Sequence, residues 1–262
     1  MKDEIGNRLK TLWETPETSR KVQRESPIYA RIDGRCFSKF TTGLKRPFDT
    51  DFSDVMLTTT RRLMEETGAV LGYTQSDEIS LAWYNKAETS QHIFDGKFQK
   101  MCSVLAGIAT SEFTLQGLAR FPEAIRGNPP VFDARVFPLP DLAETANCFV
   151  WRCLDARKNS ISQLARHHFR ASVMQGKGGA ELCEMLRRIG VEWKDLESRF
   201  RFGTFVRPEA RMVELPDEVW NKIPEKHRPE SRLASRTVFV DYSFDYSLHE
   251  NKVKFLSGES AI

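Results

Sequence analysis

Apolar positions along the chain fall into two alternating periods. Ile5, Leu9, Leu12 and Trp13 recur at i, i+4, i+7 and i+8, which predicts an amphipathic docking helix over residues 3–13, with Asp3 and Glu4 at its positive N-terminal end. From Pro27 to Ile32 the period drops to two, and this strand pattern stops at Asp33-Gly34. After a loop rich in turn formers through Pro47, Thr50 or Asp51 can cap a helix carrying Phe52, Val55, Met56, Leu63 and Met64, closed by Gly68. Two short strands, 69–74 and 79–84, flank the polar turn Gln75-Ser76-Asp77-Glu78 as a hairpin. A helix over 97–119 ends before Pro122, and a further strand runs over 131–139.

The resulting order is β-α-β-β-α-β, the ferredoxin-like split unit, an α+β antiparallel sheet with helices on one face. Beyond Pro140 the pattern turns helical, with helices expected at about 141–155, 159–173 and 179–189. The tail carrying Pro208, Pro216, Pro224 and Pro229 reads as loop-rich, with one strand at Thr237–Val240. The chain therefore divides into a sheet-bearing α+β part, 1–140, and a mostly helical C-terminal region, 141–262.

Composition changes this picture little. With 262 residues, 40% hydrophobic and 29% charged, the chain has the composition of a globular enzyme. No run approaches the ~18 apolar residues of a membrane span, and the start lacks a signal-peptide core, so the expected address is cytoplasmic. Five scattered cysteines without a C-x-x-C pair argue against a disulfide framework or a structural zinc site. Charge is more informative by position than in total. The overall balance is +3, yet Arg152–Arg211 holds 13 Lys and Arg against 7 Asp and Glu. No acidic residue occurs from Ala156 to Ala180, where Arg157, Lys158, Arg166, Arg170 and Lys177 are joined by His167 and His168. Such a strip is either one solvated helix face or a polyanion-binding surface.

In the split unit the first and third strands are central antiparallel neighbours, so the end of one lies beside the start of the other. Asp33, Asp77 and Glu78 are thereby brought to one sheet edge. Unpaired carboxylates would repel one another, and a divalent cation would resolve the conflict. Asp, Gly and Ser are also ordinary turn formers, so the pattern alone leaves metal site and plain turns both open. Gly176-Lys177-Gly178-Gly179 lacks the spacing of a phosphate loop, and Trp83 and Tyr84 read as packing residues.

The residues themselves carry a resemblance. Arg31-Ile32-Asp33-Gly34-Arg35-Cys36-Phe37, then Lys45-Arg46-Pro47-Phe48-Asp49, then Gly72-Tyr73-Thr74-Gln75-Ser76-Asp77-Glu78 resemble the tRNA(His) guanylyltransferase superfamily of 3′-5′ polymerases. Pro130–Val136, Asp155–Ser160 and Arg201–Thr204 continue the match in order. The resemblance implies a polymerase- or cyclase-like palm that extends the 5′ end of tRNA, with nucleoside triphosphates (ATP, GTP) as substrates, in a homotetramer. It implies that Asp33, Asp77 and the Gly34 carbonyl hold two Mg²⁺, with Glu78 as a supporting carboxylate. It also implies that the backbone of Gly34, Arg35, Cys36 and Phe37, with Ser76 and Arg46, cradles the triphosphate; Arg135 and Lys177 are further phosphate candidates. Arg157, Lys158, Asn159, Arg166, Arg170 and Lys177 are candidate RNA contacts.

Where eukaryotic members carry a His-Ile-Asn-Asn-Leu-Tyr-Asn block, this chain reads Trp151-Arg152-Cys153-Leu154-Asp155-Ala156-Arg157-Lys158-Asn159. That looks like the bacterial and archaeal branch and favours template-dependent 5′-end repair over guanylate addition to tRNA(His). Two other classes share the palm order. An RNA-recognition module would need an aromatic motif that Ile79–Tyr84 does not provide. A nucleotide cyclase would need no RNA.

Overall fold

The computed structural model describes residues 4–85, 87, 89–229 and 231–259. Its centre is one six-stranded antiparallel sheet in the order β4-β1-β3-β2-β5-β6. β1 (Ile28–Gly34) lies between β3 (Glu78–Trp83) and β4 (Phe132–Pro138), and β2 (Leu71–Gln75) continues the sheet beyond β3. The four strands expected from period-two alternation are thus present in the expected arrangement.

Alternation along β1 decides what covers each face. Ile28, Ala30 and Ile32 join Ile79 and Leu81 under α1 (Thr50–Thr67) and α2 (Phe98–Arg120), packing with Val55, Leu63, Leu105 and Phe113. Asp49, rather than Thr50 or Asp51, caps α1 by accepting from the Phe52 amide at 2.9 Å, and Gly68 closes it with φ +65°. As expected, α2 ends before Pro122, at Arg120, with Phe121 out of helical conformation; proline then occupies the first turn of a new short helix, α3 (Pro122–Gly127), where its missing N–H costs nothing.

The opposite face of β1 presents Tyr29, Arg31 and Asp33. It is covered by α4 (Leu142–His168), whose Phe149 and Cys153 pack with Tyr29, Tyr73 and Ala82. α4 is one continuous helix of 27 residues, not two helices broken near 155–159. The polar run Asp155–Ser160 looks like an interruption in sequence, but its small members Ala156 and Ser160 are buried while Lys158 and Asn159 are exposed. α5 (Gly179–Arg188) packs Leu182 and Leu186 onto Ile161, Leu164 and Ala165 of α4. The Gly178 amide donates to Glu181 at 2.9 Å, so the Gly-Lys-Gly-Gly segment is the start of this helix.

The C-terminal region is mostly helical as far as α6 (Ser198–Phe202), and after it only short helices remain. From there β5 (Thr204–Glu214) pairs with β2 through Thr204, Phe205 and Val206, and β6 (Leu233–Tyr242) pairs along ten residues of β5. Two long strands therefore extend the sheet where the proline-rich sequence suggested loops and one short strand. α7 (Lys252–Ser257) seals the α4 face with Phe255 and Leu256.

The N-terminal helical run spans Glu4–Thr18 with a π-helical stretch at Lys10–Glu14. Its expected apolar stripe does not dock on this chain's core: Ile5, Leu9, Leu12 and Trp13 are all exposed, Trp13 by 69%. Asp3 lies outside the described residues. Among the described residues no helix is long and apolar enough to cross a membrane.

Candidate active site

Strand register brings the expected carboxylates together. Asp33 is the partner of Glu78 on β3 and of Asp133 on β4, and the Gly34 amide donates to the Asp77 carbonyl at 3.0 Å. Asp77 sits in the two-residue β2–β3 turn after Ser76, a residue with φ +50°. The Ser76 hydroxyl donates to Asp77 Oδ1 at 3.0 Å, orienting that carboxylate.

The three carboxylates do not act alike. Glu78 is buried, and both its oxygens accept from the Arg152 guanidinium, Oε1 from Nε at 2.5 Å and Oε2 from Nη2 at 2.7 Å, with Arg31 Nε 3.8 Å away. Among the described residues no group of three or more His, Cys, Asp or Glu is arranged to hold a metal ion. The expected trio therefore reduces to a pair, Asp33 and Asp77, with Glu78 withdrawn into its own ion pair. Burial raises the Asp77 pKa above the ordinary carboxylate value and the neighbouring Asp33 adds to this, against opposing hydrogen bonds from the backbone and Ser76. Neither Asp33 nor Asp77 pairs with a cationic side chain among the described residues. Two facing carboxylates without a cation form a donor set suited to a hard divalent ion, which takes oxygen ligands and completes its shell from substrate phosphate.

The loop after Asp33 explains its glycine. A Cβ on Gly34 would fall 2.7 Å from ring atoms of Phe37, which is itself packed against Phe40, Phe113 and Phe132. The Arg35 amide donates to the Val131 carbonyl at 2.8 Å. Since the Gly34 and Arg35 amides already serve protein carbonyls, a phosphate here could draw only on the amides of Cys36, which has φ +58°, and Phe37. The expected four-residue cradle is accordingly narrower.

Asp77 and Ser76 form one end of a cleft of about 950 Å³. Its walls come from three distant stretches: the loop and first turns of 37–56, the β2–β3 turn, and the 156–167 face of α4 together with Arg199 and Phe200. Lys45, Arg46, Lys158 and Arg166 line it, so positive charge is concentrated in the cleft that Asp77 also lines. Gln163 donates to the Pro47 carbonyl at 2.6 Å and ties the loop to α4. Phe48 and Phe200 stack at 4.9 Å across the join.

The basic strip splits on folding. Lys158, Arg166 and His167 face the cleft, whereas Arg157 turns to the other side, 3.6 Å from Asp245 and over the Trp193 ring. Arg170 and Lys177 lie past the end of α4 and do not line the cleft. Arg135 pairs with Asp133 at 3.4 Å on β4. Sequence reasoning passed over Lys45, Gln163, Arg199 and Phe200 as site residues. Lys45 was legible as the neighbour of Arg46, but the other three reach the cleft only through the docking of α4 and α6.

The Arg201-Phe202-Gly203-Thr204 block is structural. Gly203 has φ +77°, and a Cβ there would meet the Thr74 carbonyl at 2.7 Å. The Tyr73 hydroxyl donates to the Phe202 carbonyl at 2.7 Å, which anchors the start of β5 beside β2.

Comparison with known proteins gives the family and the fold of the chain. The family model for tRNAHis guanylyltransferase matches residues 10–140. A bacterial tRNA(His) guanylyltransferase-like protein solved in complex with ATP superposes with a TM-score of 0.73 and 33% identity, covering 79% of this chain and 87% of that one. A structure of the same description in complex with GTP gives 0.66 and 32%, covering 79% and 86%. The tRNA(His) guanylyltransferase of Neurospora crassa is 25% identical over 223 residues, 78% of this chain and 72% of its own length.

Proposed function

The chain belongs to the tRNA(His) guanylyltransferase family, and from that premise we propose that it adds nucleotides in the 3′-5′ direction to the 5′ end of tRNA, templated by the opposite strand, as a 5′-end repair enzyme. The observation that carries this reading is the basic cleft lined by Asp77, beside which Asp33 stands at the sheet edge without itself lining the cleft. A polyphosphate laid along Lys45, Arg46, Lys158 and Arg166 would run toward Asp77.

In the reaction, an oxygen of the tRNA 5′-monophosphate attacks the α-phosphorus of ATP and pyrophosphate leaves. The 3′-hydroxyl of an incoming nucleotide then attacks the activated 5′ phosphorus, loses its proton and displaces AMP. No side-chain nucleophile is required. Asp33, Asp77 and the Gly34 carbonyl would hold two Mg²⁺, which when bound neutralise polyphosphate charge and lower the pKa of the attacking hydroxyl. The chain's own cations bind and align the phosphates, and Ser76 fixes the orientation of Asp77. Arg170 and Lys177, outside the cleft, would meet the body of the tRNA, which would span subunits of a homotetramer.

The test is incubation with Mg²⁺, ATP, all four nucleoside triphosphates and a 5′-monophosphorylated tRNA lacking its first nucleotide, with products resolved at single-nucleotide length. Wild type should add the template-complementary nucleotide, and Asp33→Ala and Asp77→Ala should abolish addition while still binding tRNA. Binding without extension by wild type would overturn the reading. Extension only of an intact tRNA(His) would replace repair by guanylate addition.

A further inference from the structure

β4 closes one side of the sheet, and no strand lies on its outer edge among the described residues. The Arg35 amide reaches the Val131 carbonyl and the Leu139 amide the Pro27 carbonyl, so the odd-numbered residues of this stretch turn their backbone groups to β1. Phe132, Ala134 and Val136 therefore turn theirs to the open edge, where Thr110 Oγ1 accepts from the Phe132 amide at 3.1 Å. Their side chains pack under α2, while Asp133 and Arg135 are exposed on the other face. Beside Phe132, α2 presents Ala106, Gly107, Thr110 and Ser111 to an open groove of about 540 Å³, which leaves room for a second strand.

The edge Pro130-Val131-Phe132-Asp133-Ala134-Arg135-Val136-Phe137-Pro138 is self-complementary. An antiparallel second copy with its two-fold axis at Ala134 sets Asp133 against the partner's Arg135 and Phe132 against the partner's Val136. It also sets Val131, 47% exposed in one copy, against the partner's Phe137. Pro130 and Pro138, which lack an N–H, end the ladder on both sides. Moving the axis to residue 133 or 135 would set Asp133 or Arg135 against the same residue of the other copy, so charge selects the Ala134 register. We propose that the β4 edge is an interface for a second copy of this chain, joining two sheets into one about Ala134. This contact is independent of the cleft reading and gives the tetramer proposed above one of its interfaces. Because Asp133 is also the partner of Asp33, the axis lies one strand from each catalytic edge, and association would brace β1 in both copies.

The experiment is sedimentation velocity of the full chain over a concentration series, with circular dichroism and a thermal melt of each variant. Wild type should sediment as an assembly of paired copies. Arg135→Glu and Asp133→Arg each set like charges across the axis at both symmetric contacts and should weaken that pairing about 10- to 100-fold. Mixing the two variants should restore it as a heterodimer, because every contact then joins opposite charges. An effect confined to one protomer would not be repaired by mixing. Ala134→Pro removes an amide that faces the open edge and no bond to β1, so it should separate the copies with the circular dichroism unchanged. It serves as the test should the charge variants fold poorly. Wild type that stays monomeric throughout the series, or a mixture of the two charge variants no more associated than either alone, would overturn the proposal. So would an assembly that Arg135→Glu and Ala134→Pro leave intact, which would keep the tetramer and place its contacts elsewhere on the chain.

Discussion

Replacing Arg152 by alanine leaves a buried carboxylate without its counter-ion. Glu78 and Arg152 are about 5% and 6% exposed, and their bidentate contact is the principal compensation for Glu78, since Arg31 stands 3.8 Å off. Burial raises the Glu78 pKa above its ordinary value even against the opposing guanidinium, so ionised Glu78 is costly to bury even when paired. Removing one partner of such a pair costs about 3–5 kcal/mol. For a chain of this size about 2 °C of Tm accompanies each kcal/mol, so Arg152→Ala should melt about 6–10 °C lower. Urea unfolding at pH 7.5 would supply the free energy directly. The same reasoning sets a control: Glu78→Gln combined with Arg152→Met removes both charges at similar volume and should recover more than half of the loss. A single variant within about 1 kcal/mol of wild type, or a double variant no more stable than the single, would refute the account of Glu78 as a buried, compensated charge.

Other outcomes follow from the site and the arm. Asp33→Asn should abolish nucleotide addition yet melt at or slightly above the wild-type temperature in the absence of divalent ions, because it removes repulsion from Asp77; a clear loss of Tm would contradict that. Gly34→Ala should lower stability by about 1–3 kcal/mol in urea unfolding as Phe37 is forced from its aromatic cluster, and a neutral substitution would show that the ring can yield. Burial alone would raise the Glu209 pKa, but hydrogen bonds from Tyr242, Arg207 and Arg211 overcome it and bring the group down to about 2. Its stabilisation is present above the unfolded value of 4.5 and lost as pH falls toward 2, so Glu209→Gln should flatten the decline of the urea midpoint across that window, and an unchanged slope would count against it.

The central sheet was legible because alternation at 27–32, 69–74, 79–84 and 131–139 is a local property, and the pairing of the first and third strands follows from crossover handedness. The meeting of Asp33 with the 77–78 turn was therefore readable before any coordinates. What Glu78 does was not readable, since its partner Arg152 lies 74 residues away on a helix whose docking depends on both faces of the sheet. β5 and β6 were obscured because much of β5 pairs only with β6. The Thr204–Val206 stretch is buried, but Arg207–Glu214 alternates weakly and contains Pro208, a residue that sequence reasoning demotes to loop. α4 reads as two helices for a related reason: its polar run Asp155–Asn159 interrupts the apolar period, with Lys158 and Asn159 lining a cleft and Arg157 turned to Asp245, and helical period alone does not distinguish such a run from a break.

That last ambiguity has a physical consequence for how the site is built. A helix carrying Arg152, Asp155 and Asn159 at i, i+3 and i+7 cannot move its cleft end without disturbing the ion pair at its sheet end. The Asp33–Asp77 edge and the Asn159 amide are thereby referred to the same rigid element, although they come from strands and a helix more than 80 residues apart in sequence. The opposite wall is fixed differently, by the Asp49 cap, the Gln163 contact to Pro47 and the Phe48–Phe200 stack, all half-buried. One wall is anchored by a buried ion pair and the other by a few half-buried contacts. Closure on a ligand should therefore come from the 41–49 loop moving toward α4, with the carboxylate edge and Asn159 as the stationary reference.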